Sequence, residues 1–230
     1  MLDNIYMNFT LNNCRAAVSA MPCDGAVFAT DGADNKIFAI DRSGNTIECI
    51  SSVRPYRRMR RDGHCGVTAL GCCNGTARIY YLTDDFRETG YTNFQTGCTC
   101  KCHRYSELTD AMVTSIGNEM YIIGAFRQSA YLFDSDGKKL TKLCSTEDNE
   151  VLTDFVSLGN GVFAMGTLCG NTQTITVSDG ETVQSGILPR GYTLRMLIPE
   201  GNILYGLFGR NYLYNLIVKI YENGALSLPK

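Results

Sequence analysis

Tryptophan is absent from this chain, and histidine nearly so, with two in 230 residues. Proline is scarce, and no stretch carries a long helical periodicity. No apolar run approaches the roughly 18 residues expected of a membrane span. The charge is almost balanced: a net charge of -2 and a pI near 5.7 give no basis for general nucleic-acid binding. The first residues, MLDNIYMNFTLNN, lack a basic region followed by an apolar core, so no signal peptide is expected. Reduced thiols and a cytoplasmic monomer are the corresponding expectations. With 44% apolar and 19% charged residues, disorder is excluded as well.

What is present is glycine (23) and cysteine (11), with short runs rich in Val, Ile, Tyr and Phe between turn residues. Two series of turns recur. One falls near Gly44, Phe86, Gly137, Gly180 and Gly224, at intervals of 42, 51, 43 and 44 residues. The other precedes apolar strands in CDGAVFAT, RDGHCGVTAL, GNEMYIIGAF, GNGVFAMGTL and EGNILYGLF. The two series interleave, giving units of four strands joined by Asp-Gly, Gly-Asn and Asn-Gly turns.

Such a repeat resembles the blades of a β-propeller. The expected fold is all-β: one five-bladed propeller over residues 1–230, with blades at 14–51, 52–95, 107–145, 151–189 and 192–230. The resemblance is to the architecture, since the Trp-Asp signature of WD repeats and the diglycine of kelch repeats are both missing. Residues 4–11 alternate apolar and polar, and are expected to close the ring at the outer side of blade five, beside ALSLP. The long interval is assigned to an insertion at 95–106.

The resemblance also implies a top face, built from the connections between blades and the loops between second and third strands. It collects the insertion QTGCTCKCHRY, the GCCNG loop with Cys72 and Cys73, and LCGN with Cys169. His64 and Cys65 fall on the opposite face. The segment RPYRRMRR (54–61) aligns as the innermost strand of blade two. Alternation along a strand puts Arg58 and Arg60 on one side, Arg57 and Arg61 on the other. A buried guanidinium without a partner is costly, and two readings follow. Either the arginines pair with Asp110 and Asp154, from ELTD and VLTD, and tie blades together. Or they form a cationic pocket for a phosphate, carboxylate or acidic peptide. The candidate ligand contacts are Arg54, Tyr56, Arg57, Arg58, Asp110, Asp154 and Arg195.

The cysteine insertion is a weaker signal. Zinc needs sulfurs about 2.3 Å away, hence within roughly 4 Å of one another. Alternate residues of an extended strand lie about 6.6 Å apart. Cys98, Cys100 and Cys102 would share a zinc ion, with His103 or with Cys72 and Cys73, only if the segment curls. A redox-sensitive thiol cluster is the other reading, and cysteine as a small hydrophobe in an ordinary loop outweighs both. No cofactor is expected.

Catalysis has little support. Adjacent Cys102 and His103 point apart on a strand, and no nucleophile elbow occurs. Asp110 and Asp154 are the only inner-strand acids for a glycoside hydrolase, and sugar stacking would fall to Tyr56, Tyr105 and Tyr192. The reading is a non-enzymatic propeller binding a protein partner or small anionic ligand on its top face. The rival is a carbohydrate-active propeller, hydrolase or lectin, that uses the channel carboxylates.

Overall fold

The computed structural model describes residues 5–11, 16–23, 25–62, 66–73, 76–94, 108–210 and 214–230. Strand β1 (Ile5–Phe9) is followed by four sheets of four antiparallel strands. The first holds β2 (Ser19–Cys23), β3 (Ala26–Thr30), β4 (Lys36–Asp41) and β5 (Thr46–Ser51). The second holds β6 (Arg58–Asp62), β7 (Gly66–Cys73), β8 (Thr76–Leu82) and β9 (Glu88–Asn93). The third holds β10 (Leu108–Ile116), β11 (Glu119–Phe126), β12 (Ser129–Asp134) and β13 (Lys139–Ser145). The fourth holds β14 (Glu150–Gly159), β15 (Val162–Cys169), β16 (Thr172–Ser178) and β17 (Val183–Ile187). The fifth sheet is built on β18 (Tyr192–Glu200), β19 (Ile203–Arg210) and β20 (Tyr214–Glu222), with the short β21 (Ala225–Leu226). The first strands β2, β6, β10, β14 and β18 pack in a closed ring, making a five-bladed β-propeller.

Closure is made at β20. Strand β1 runs antiparallel to it from Ile5↔Val218 to Phe9↔Asn215, and β21 covers its far end at Tyr221↔Leu226. Two short strands therefore share one outer edge, which leaves little of it open to another chain. The expected pairing of the N-terminal strand beside ALSLP is what the structure contains. Met7, Phe9 and Leu11 alternate inward and are buried with Ala17, Ile40 and Ile217, between the first and last blades.

The turns that reveal the repeat are the ones that need special backbone. Gly44, Phe86, Gly137, Gly180 and Gly224 all have positive φ, between 61° and 89°. A Cβ on Gly44 would strike the Asn8 carbonyl oxygen, and one on Gly137 the Asn93 carbonyl oxygen. Those glycines are thus required twice, by the backbone and by contact with the preceding blade's outer strand. Phe86 takes the same conformation without that freedom. Its ring is 6% exposed and packs 4.9 Å from Phe28, and this burial offsets the strained backbone.

In blade two the sequence alignment needs a correction. Strand β6 starts at Arg58, so Arg54, Tyr56 and Arg57 belong to the connection entering the blade rather than to its inner strand. The reason is local: Pro55 has no N–H for a ladder, and the first bond to β7 is Arg57 N–H to the Leu70 carbonyl at 2.8 Å.

Phe9→Ala is expected to destabilise the protein by about 3–5 kcal/mol in urea unfolding. The exposed neighbour Asn8→Thr should stay within about 0.5 kcal/mol of the parent. Equal effects would mean that β1 does not close the ring through its apolar face.

Candidate functional site: the arginines of the channel

An inner strand has a ladder partner on one side only, so its other backbone groups need partners across the channel. Side chains of one blade supply them to the next. Met59 N–H donates to Ser19 Oγ at 2.8 Å, Ser157 N–H to Met112 Sδ at 3.2 Å, and Leu197 N–H to Asp154 Oδ2 at 2.5 Å. At the closure, Ala17 N–H donates to Asn215 Oδ1 at 2.9 Å.

Arg60 is the largest of these ties. Its guanidinium is buried, and Nη2 donates to Asp110 Oδ2 at 2.5 Å and to Asp154 Oδ1 at 3.3 Å. Nη1 donates to the Leu197 carbonyl at 2.5 Å. One side chain from blade two thereby grips blades three, four and five. Arg58 lies beside it, with Nε 3.5 Å from Asp110 Oδ1 and Nη1 donating to the Val18 carbonyl at 2.6 Å. Burial, then the neighbouring Asp110 carboxylate, push Asp154 well above the ordinary aspartate range, with Arg60 and Arg58 only partly opposing. Burial of two carboxyl groups this close disfavours a second negative charge, which is why Asp154 is pushed up.

A second cluster lies at the entry to blade two. Arg54 makes a two-pronged ion pair with Glu88, Nε–Oε1 at 2.5 Å and Nη2–Oε2 at 3.0 Å. Tyr56 donates to Glu88 Oε1 at 2.7 Å, and the Arg54 guanidinium lies 4.4 Å from the Tyr80 ring centroid. Glu88 raises Arg54 above its usual value, while burial and then Glu88 push the Tyr56 phenol up. Burial alone would push Glu88 up, but the bonds from Arg54 and Tyr56 outweigh it and hold its carboxyl low. Arg54 and Tyr56 are therefore committed to an internal partner. Arg57 is exposed, and Arg61 reaches Asp84 at 3.3 Å near the surface.

Arg195 differs from all of these. Strands β10, β14 and β18 each carry a register shift near their start, at Thr109, Thr153 and Arg195. Arg195 thus fills in blade five the place of a threonine in blades three and four. Its Nη1 donates to the Ala17 carbonyl at 3.0 Å and lies 3.4 Å from Asn215 Oδ1. Both acceptors are neutral, and among the described residues no carboxylate pairs with it. Burial pushes its pKa down, as expected of a half-buried charge without a counter-ion. The guanidinium lies against Gly209, where a Cβ would collide with it. Arg58 from blade two and Arg195 from blade five thus bond the successive carbonyls Val18 and Ala17.

Of the residues singled out from sequence, the structure joins Arg58, Asp110 and Asp154 in the channel, and Arg54 with Tyr56 at Glu88 on the outer strand of blade two. Arg60 is the centre of the first group, and its signal was its place two residues from Arg58 on the same face. Glu88 had no signal, because it belongs to an outer strand distant in sequence. Cys98, Cys100, Cys102 and His103 lie outside the described residues, as do His64, Cys65 and the side chains of Cys72 and Cys73. Among the described residues, Cys23, Cys49, Cys144 and Cys169 are free thiols, and no group of three or more His, Cys, Asp or Glu is placed to hold a metal ion.

No family model matches the chain, and no curated protein matches it in sequence. Its fold is similar to that of a protein of unknown function from Bacteroides caccae, with a TM-score of 0.57 and 12% identity, covering 95% of this chain and 82% of that one. A looser likeness is to virginiamycin B lyase from Staphylococcus aureus, with a TM-score of 0.46 and 11% identity, covering 93% of this chain and 69% of the other. At such identities the likeness concerns the fold alone.

Arg60→Met leaves two carboxyl groups buried without their cation, and is expected to cost about 3–5 kcal/mol in urea unfolding. Adding Asp110→Asn and Asp154→Asn should restore much of that loss. A proton held by Asp154 only in the folded state makes stability fall as pH rises, from the ordinary aspartate value of 3.8 through its raised folded value. Melting temperatures of Asp154→Asn across that window should lack this decline; a parallel decline would place the proton elsewhere.

Proposed function

We infer that this propeller is a binding protein that holds an anionic group, a carboxylate or a phosphate, beside blade one, where Arg195 and Arg58 bond the successive carbonyls Ala17 and Val18. The observation that carries this reading is the state of Arg195: half-buried, seated on a glycine, and bonded only to neutral oxygens. Keeping a charge there without a counter-ion costs stability, and an incoming oxyanion would offset that cost. Arg58 adds a second guanidinium, only partly neutralised by Asp110. An acidic segment of a protein partner would present the same chemistry as a small ligand.

The carbohydrate-active alternative asks Asp110 and Asp154 to reach a glycosidic bond. Its one favourable feature is Asp154, pushed above the ordinary aspartate range beside a second carboxyl group, an environment that suits an acid. Against it, Asp110 is 0% and Asp154 1% exposed, and Arg60 occupies both. Turnover of glycan substrates lost in Asp110→Asn would favour this alternative.

Inorganic phosphate should raise the melting temperature of the protein beyond sodium chloride at equal ionic strength, saturably. Arg195→Gln should abolish that response while leaving the phosphate-free melting temperature unchanged or higher. An identical phosphate response in both proteins would sink the reading.

A further inference from the structure

One cavity bounded by described residues does not lie in the channel. It lies at the top of blade three, has a volume of about 600 Å3, and shares no residue with the arginine cluster. We propose that this cavity is a binding site for a neutral saccharide, independent of the anion site.

The frame is preformed by backbone bonds between the loop joining β11 to β12 and the segment leading into β14. Thr146 N–H donates to the Gln128 carbonyl at 3.0 Å, and Leu152 N–H to the Arg127 carbonyl at 2.7 Å. The Gln128 side-chain amide donates to the Asp148 carbonyl at 3.1 Å, holding the rim between blades three and four. A pocket of this volume, rigidly bounded and open to solvent, is of the size that takes a small ligand.

One wall is aromatic. Phe126 and Tyr131 are half-buried, with ring centroids 5.9 Å apart and planes at 69°. They offer an apolar surface of the kind the C–H face of a sugar ring covers. The rim is polar and mixed in sign. Asp148 and Glu150 accept, Arg127 and Lys139 donate, and the amides of Gln128 and Asn149 do both. Every sugar hydroxyl is itself both donor and acceptor, so it finds a partner anywhere on such a rim. A ligand of one sign would meet as much repulsion as attraction, because two acidic and two basic side chains line the cavity.

Lys139 adds a feature that a test can read. Its exposed ammonium stands 3.4 Å from the Tyr131 ring centroid, covering the ring. A ligand that stacks on Tyr131 displaces this ammonium, so Lys139 opposes binding while it guards the ring.

The test is saturation-transfer NMR with tyrosine emission, unobscured because tryptophan is absent, on the full chain. Maltose, cellobiose, lactose and diacetylchitobiose are the neutral probes, with glucuronate and tetramethylammonium as charged ones. At least one neutral disaccharide is expected to bind saturably. Tyr131→Ala should abolish that binding, and Asn149→Ala, at an exposed position, should weaken it about five- to ten-fold. Lys139→Ala should tighten it about two- to five-fold, the factor of one exposed cation–π contact. Arg195→Gln should leave it unchanged, so failure here and failure of the anion site are distinguishable. The proposal is overturned if no neutral probe saturates, if Asn149→Ala and Lys139→Ala both bind like the parent, or if tetramethylammonium or glucuronate binds most tightly.

Discussion

Arg60 is the interaction on which the centre of this protein depends. A propeller's inner strands do not form a ladder with one another, so the ring is held at its axis by packing and by side chains that cross between blades. Arg60 crosses farthest, joining Asp110, Asp154 and the Leu197 carbonyl in one planar fork. Such a buried ionic group is weak evidence for net stability, since apolar residues of the same volume often do as well. What it supplies is geometry: a fork with fixed directions sets blades three, four and five relative to blade two.

That tie divides the arginines by role. Arg60 is consumed by the axis and Arg54 by Glu88, and the Arg54 pair anchors the connection entering blade two to its outer strand. Arg58 stands between the two situations, with one carboxylate at long range and a backbone carbonyl close by. Of Arg54, Arg58, Arg60 and Arg195, the last alone has neutral partners only. Of the two readings of the arginine-rich segment, pairing describes Arg60 with Asp110 and Asp154, and the anion-binding reading is the proposal that rests on Arg58 and Arg195. Pairing stitches the blades, and Arg195 is left with neutral acceptors.

The blade count, the closure by residues 4–11 and the turn positions were legible because each rests on local chemistry. Positive φ demands glycine or a compensating burial, and a two-residue alternation in IYMNFTL marks a strand whatever it pairs with. The aspartates of ELTD and VLTD were legible as a pair because the repeat gives them equivalent positions. The site was less legible. Arg54 looked like an inner-strand residue until Pro55 delayed the start of β6, and Glu88 carried no mark of its role. The blade-three cavity had no motif either, since Phe126, Tyr131 and Asn149 come from three separate segments.

By itself, then, the sequence determined the architecture: five four-stranded units, their turns, and an N-terminal strand that closes the last. Those properties follow from period and backbone conformation, which act over a few residues at a time. Only the tertiary structure decided which arginine is buried, which carboxyl is pushed above the ordinary aspartate range and where the cavity opens. Each of those depends on distances between side chains of different blades, and on how much water their packing excludes.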